Sequence, residues 1–160
     1  MDAAEYFQRA AKWHIHDEAH ETAKENDEML SKLYYNSATA YVQVGQGEKA
    51  LEMYKKVLQT EHGATKWAIH NSMGLLYYDL EEDDEAIRSF EQALELESDH
   101  PSVLRNLAGV HLRQGNATAA LPLLRISAVR DPSSFEAWYY LGAAYARLHR
   151  HADAAYGEVV

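Results

Sequence analysis

The sequence predicts an all-α fold, a solenoid of antiparallel helix pairs. Two recurring patterns predict it, and the composition allows it. One pattern is an alanine, a bulky residue four positions on and a smaller residue three further: Ala50-Tyr54-Val57, Ala86-Phe90-Ala93 and Ala120-Leu124-Ser127. The other is a large residue, a small one four later, then an aromatic or His three after that: Tyr34-Ala38-Tyr41, His70-Gly74-Tyr77, Leu104-Ala108-His111 and Trp138-Gly142-Tyr145. Spacings of three and four put each set on one helical face. The two sets alternate along the chain with a polar turn between them. Each repeat is therefore two helices, and stacking repeats buries a continuous core. Hydrophobic residues are 47% of 160, enough for such a core.

Residues 1–30 hold a partial unit, with a fainter triple at Ala3-Phe7-Ala10, and a connection. The alanines at 3, 50, 86, 120 and 154 are separated by 47, 36, 34 and 34 residues. The first interval is too long for one unit, so residues 14–30 are expected to lengthen the helices or add a loop. Complete repeats follow at 31–66, 67–100 and 101–134. An incomplete repeat fills 135–160, with a second helix restarting near Ala154. The whole reads as one solenoid domain. Asn116 is placed to cap the helix after it. Asp83, Asp84 and Glu85 fall in a first turn, where the helix dipole favours acids. Pro101 opens a helix without cost, whereas Pro122 is expected to kink its helix or delay its start. Gly142, beside Trp138 and Tyr145, is expected at a close helix contact, so that Gly142→Leu overpacks by about 1–3 kcal/mol.

These patterns resemble the tetratricopeptide repeat family from about Ser31 onward. The match is best over Trp67–Pro132 and includes Asp131-Pro132 at a repeat's close. Ser98 stands where that proline would recur, Glu81 replaces the usual turn glycine, and Glu158 occupies a bulky core position. The resemblance implies a right-handed solenoid whose first helices line a concave groove. The groove residues it implies include Tyr35 and Asn36 in the first repeat, and Asn71 and Tyr78 in the second. Arg105, Asn106 and Arg113 follow in the third, and Tyr139 and Arg147 in the fourth. A side-chain amide both donates and accepts, so asparagines at 36, 71 and 106 suit a peptide backbone. The three arginines suit a carboxylate. The family's clamp for chaperone C-termini needs a set of Lys and Asn that no three units here supply. The same residues also read as polar and aromatic positions on an exposed helix face.

The remaining motifs carry less chemistry. His14–Glu21 reads HIHDEAHE, and His16 and His20 are spaced for a metal. A zincin would need Glu after the first His, but Asp17 stands there, and Lys24 fills the last place of the alternative register. A solvated helix end and connection is the preferred reading, so no metal, cofactor or enzymatic activity is expected. Asp79–Glu85 fails as a Ca²⁺ loop, since Asp84 occupies the glycine position and Phe90 the final glutamate's.

The net charge is −10, with −12 in residues 1–100 and +2 in 101–160. That acidity argues against nucleic acid. No apolar run spans a membrane, no signal peptide is visible and there is no cysteine, so a cytoplasmic home is expected. The expected function is a scaffold or protein-binding module that holds an extended or helical peptide. The alternatives are a structural subunit assembling through the solenoid's ends, as a homo-oligomer or in a larger complex, and a small chaperone of this family.

Overall fold

The computed structural model describes residues 3–16, 23–64 and 66–157. They form α1 (Ala3–His16), α2 (Ala23–Gln43), α3 (Gly47–Leu58), α4 (Glu61–Ala64), α5 (Trp67–Asp79), α6 (Asp83–Leu96), α7 (Pro101–Arg113), α8 (Ala117–Arg130) and α9 (Phe135–Gly157). No strand occurs among the described residues. The fold is all-α, a solenoid of helix pairs. The chain divides into two compact units, Met1–Leu76 and Tyr77–Val160, with the division inside α5.

In the first unit, α1 packs on α2 and α2 on α3, with the short α4 against both α2 and α3. The small-residue face of α2 meets the alanine triple of α3, leaving Ala38, Tyr41, Ala50, Tyr54 and Val57 buried. Ser37, also buried, donates to the Leu33 carbonyl at 2.9 Å, so its hydroxyl is satisfied within its own helix. Thr60 starts α4: its Oγ1 donates to the Val57 carbonyl and accepts from the Gly63 N–H at 3.0 Å.

In the second unit, α6, α7, α8 and α9 pack in succession, and α9 also reaches α7. Ala108 and Leu112 of α7, Ala117, Ala120 and Leu124 of α8, and Ala144 of α9 form one buried cluster. Asn116 caps α8, its Oδ1 accepting from the Ala119 N–H at 3.1 Å. Pro101 opens α7. α8 starts at Ala117, so Pro122 does not delay it.

Three turns share one construction. The carbonyls of Tyr41, Tyr77 and His111 accept from the N–H groups of Gln46, Glu82 and Asn116 at 2.8–2.9 Å. Those of Val42, Tyr78 and Leu112 accept from Gly45, Glu81 and Gly115 at 3.0–3.1 Å. Such paired bonds close a helix when the next residue turns left-handed. Gly45, Glu81 and Gly115 do so, at φ 72°, 61° and 77°.

Three expectations change. The Ala3-Phe7-Ala10 triple is not the face α1 buries: Ala4 and Ala11 are buried, while Ala3 is exposed. Gln8 lies between the buried pair and donates to Met53 Sδ at 3.3 Å. The stretch around Ala154 does not start a new helix, because α9 runs unbroken for 23 residues. His149 stands where Gly45 and Gly115 break their helices, and a β-carbon penalises the left-handed turn. Gly142 is not at a close contact: a β-carbon there would meet nothing within 4 Å. No described helix covers that face of α9. The long first interval resolves in part as helix, since α2 begins at Ala23. Residues 17–22, which hold most of HIHDEAHE, and Glu158 lie outside the described residues, as do the side chains of residues 14–16.

Candidate functional site

The first helices carry the residues singled out for binding. In the first unit, Tyr35 and Asn36 are exposed on α2. They line a cavity of about 470 Å³ with Ser31, Lys32, Val57, Lys66, Ala68 and Ile69. Its floor is apolar and its rim carries two ammonium groups and an amide. Lys32 pairs with Glu28 one turn away at 2.7 Å. The Tyr35 ring sits edge-on to Tyr54, centroids 6.0 Å apart. Burial pushes the Tyr54 hydroxyl up from its ordinary pKa, against the opposing hydrogen bonds to Ser72 and Thr39. Asn71 is half-buried on α5, has interactions of its own, and does not line this cavity.

In the second unit the three arginines are each engaged. Arg113 stacks over the Tyr78 ring, 3.5 Å from its centroid, donates to the Tyr78 carbonyl at 2.7 Å and pairs with Asp83. Its charge is therefore largely neutralised by its own chain. Arg105 donates to Ser134 Oγ at 3.1 Å. Ser134 caps α9 by accepting from the Ala137 N–H at 3.2 Å, and its hydroxyl donates to Glu136. Hydrogen bonds from its own backbone N–H and from Ser134 hold the Glu136 carboxyl below the usual carboxylate range. Arg147 donates to the Leu112 carbonyl at the end of α7. Asn106, half-buried on α7, has partners too. Tyr139 is exposed, stacked beside Phe135 with centroids 6.2 Å apart and edge-on to Tyr140.

Thus Tyr35 and Asn36 share one cavity. Arg105, Asn106 and Tyr139 lie on the two adjoining first helices, α7 and α9. Lys66 and Ser134 were not singled out from sequence, because each precedes the first helical residue of its repeat. Their signal is proximity to the starts at Trp67 and Phe135. Among the described residues, no three His, Asp or Glu side chains stand together as metal ligands. None of the described helices is long and apolar enough to cross a membrane.

A family model described as Tetratricopeptide repeat matches residues 71–134 and 111–159, and a second of that description matches residues 31–61. The chain belongs to the tetratricopeptide repeat family. This tetratricopeptide repeat protein is 28% identical over 91 residues to the photosystem I assembly protein Ycf3 of Prochlorococcus marinus. That match covers 56% of this chain and 53% of Ycf3, so the chain spans about half the length of this curated relative. Among solved structures, the first TPR domain of Spaghetti (RPAP3), bound to the HSP90 peptide SRMEEVD, superposes with a TM-score of 0.70 at 14% identity. It covers 74% of this chain and 93% of that one. MamA (41-end) from Desulfovibrio magneticus RS-1 also reaches 0.70, at 26% identity, covering 75% of this chain and 67% of that one.

Proposed function

We propose that this protein is a non-enzymatic interaction module that holds a segment of a protein partner along the first-helix faces of its repeats. Membership of the tetratricopeptide repeat family supports the general role. The Spaghetti domain, a similar fold, holds a peptide. The observation that carries the more specific reading is the cavity beside α2. It gathers Tyr35 and Asn36, both groove positions that the family resemblance implies, with Lys32 and Ala68 around one space of about 470 Å³, large enough for a short stretch of peptide. A Tyr ring offers apolar contact and an amide offers both halves of a backbone hydrogen bond. Lys32 and Lys66 add cationic charge for an acidic residue of the partner.

The engagement of Arg113 with Asp83 moves the expected anchor for acidic groups away from that arginine. In the second unit Arg105, which bonds the neutral Ser134 hydroxyl, is the better anchor; in the first, Lys32 can exchange its exposed pairing with Glu28 for a partner's carboxylate. Selection of binders from a random peptide library on the purified chain tests this. Selected peptides are expected to lose about 1 kcal/mol of affinity on Asn36→Ala or Asn106→Ala, the worth of one hydrogen bond. Their binding is also expected to weaken with salt. Equal affinity for wild type and both variants removes the first-helix faces as the site.

A further inference from the structure

The repeats supply an internal standard for what a second helix shows to solvent. Each second helix has a buried alanine as its anchor: Ala50, Ala86 and Ala120. The accessible positions two, five, six and nine places further on are Glu52, Lys55, Lys56 and Gln59 after Ala50. After Ala86 they are Arg88, Glu91, Gln92 and Glu95. Every one of these is polar. After Ala120 the same positions hold Pro122, Arg125, Ile126 and Val129. Intervals of three and four set them in one stripe along α8. All four are exposed, Val129 to 76%. A lone exposed aliphatic residue is ordinary. Three apolar residues in one stripe, where the repeat otherwise places polar groups, mark a contact surface.

The stripe is also shaped and charged. Pro122, Ile126 and Val129 line an open recess of about 510 Å³ with Asp99, Arg125 and Arg130. Pro122 has no N–H for the Thr118 carbonyl four residues back, so it costs α8 a hydrogen bond. Its ring is exposed and returns nothing to the core. α8 contains Arg125 and Arg130 but no Asp or Glu, in a chain of net charge −10. Arg130 pairs with Asp99 at 2.8 Å, and both are exposed, so the pairing is readily exchanged. Arg125 has no hydrogen bond or ion pair among the described residues.

We propose that this face of α8 docks an amphipathic helix of a protein partner, one whose apolar stripe is edged by carboxylates. Side chains spaced at helical intervals form the ridge against which a second helix packs. An apolar side chain of the partner enters the recess beside Ile126 and Val129. Its carboxylates meet Arg125 and Arg130, which supply charge-assisted donors. Two other occupants fit less well. An anionic membrane attracts the two arginines but repels the acidic body, and a recess suits a protruding side chain better than a lipid surface. A second copy docking through the same face would set these arginines against their counterparts. The site uses no first-helix residue, so it adds a second partner to the one proposed for those faces.

Phage display on the full chain tests it, with a library of amphipathic sequences of about 18 residues, long enough to be helical alone. Their apolar positions are randomised among Leu, Ile, Val and Phe, and the others among Glu, Gln and Lys. Enriched binders are expected to carry Glu rather than Lys beside the apolar stripe. They are expected to lose about tenfold in affinity on Val129→Glu and on Arg125→Glu. Asn36→Ala and Asn106→Ala are expected to leave them unchanged, which separates this face from the first-helix faces. Circular dichroism checks that the variants stay helical, and Ile126→Gln repeats the arm should either α8 variant unfold. A library that yields no binder sensitive to the α8 variants overturns the proposal, as does enrichment of Lys among the sensitive ones. So does co-sedimentation of the wild type with phosphatidylserine vesicles that Arg125→Glu abolishes, which assigns the face to a membrane. A sedimentation mass above the single-chain 18.1 kDa that Val129→Glu reduces to one chain assigns it to a second copy and overturns the proposal too.

Discussion

Glu81 holds a left-handed backbone, φ 61°, in the turn between α5 and α6, where the corresponding turns use Gly45 and Gly115. A β-carbon in that conformation costs roughly 1–2 kcal/mol, part of which glycine's greater unfolded freedom would cancel. Glu81→Gly is therefore expected to raise stability by about 1 kcal/mol, read from urea unfolding. Two other glycines contrast sharply. A β-carbon on Gly63 would lie 2.1 Å from the Val57 carbonyl oxygen, a backbone atom that cannot simply swing aside. Gly63→Ala is expected to destabilise by about 1–3 kcal/mol. Gly142→Ala meets open space inside a helix and is expected to stabilise each chain by up to about 1 kcal/mol. Circular-dichroism melts at low concentration check both, and the opposite order would refute the packing described here.

At the scale of elements, the repeat pattern in the sequence located the buried faces of α2, α3, α6, α7 and α8 because tight packing admits few residue types. Ala38, Ala50, Ala86, Ala108 and Ala120 are all fully buried. The register of α1 was not legible for a simple reason: alanines stand in pairs at 3–4 and 10–11. Both faces thus offer the same seven-residue spacing, and Phe7 looks more core-like than Gln8. The unbroken α9 was missed because a repeat pattern expects a turn at His149, whereas local propensity there favours helix. Capping was legible, since Asn116 Oδ1 satisfies an N–H that nothing else in α8 can reach. Asn116→Ala is expected to cost about 0.5–2 kcal/mol. The loss of protection in hydrogen exchange is expected first at the N-terminal turn of α8. Uniform loss across α7 and α8 would show that the cap acts through the whole pair instead.

At the scale of the whole molecule, the sequence singled out candidate binding residues by their phase in the repeat. It could not show which of their charges are already matched. Arg113 illustrates this, because its partner Asp83 lies thirty positions away and only the packing of helices brings them together. The cavity beside α2 gathers Tyr35 and Asn36, two of the candidates read from sequence, but Lys66 joins it from a connection that the repeat phase does not index. With a net charge of −10, the body repels a uniformly acidic ligand, so any acidic group of a partner must meet a local cluster of cations. The most direct measurement of peptide binding at the first-helix faces is amide chemical-shift mapping of the labelled chain with a library-selected peptide. Shifts are expected to concentrate around Lys32, Tyr35, Asn36 and Lys66 in the first unit and around Arg105, Asn106 and Tyr139 in the second. Shifts confined to the outward faces of α6 and α8, with these residues unmoved, would contradict it.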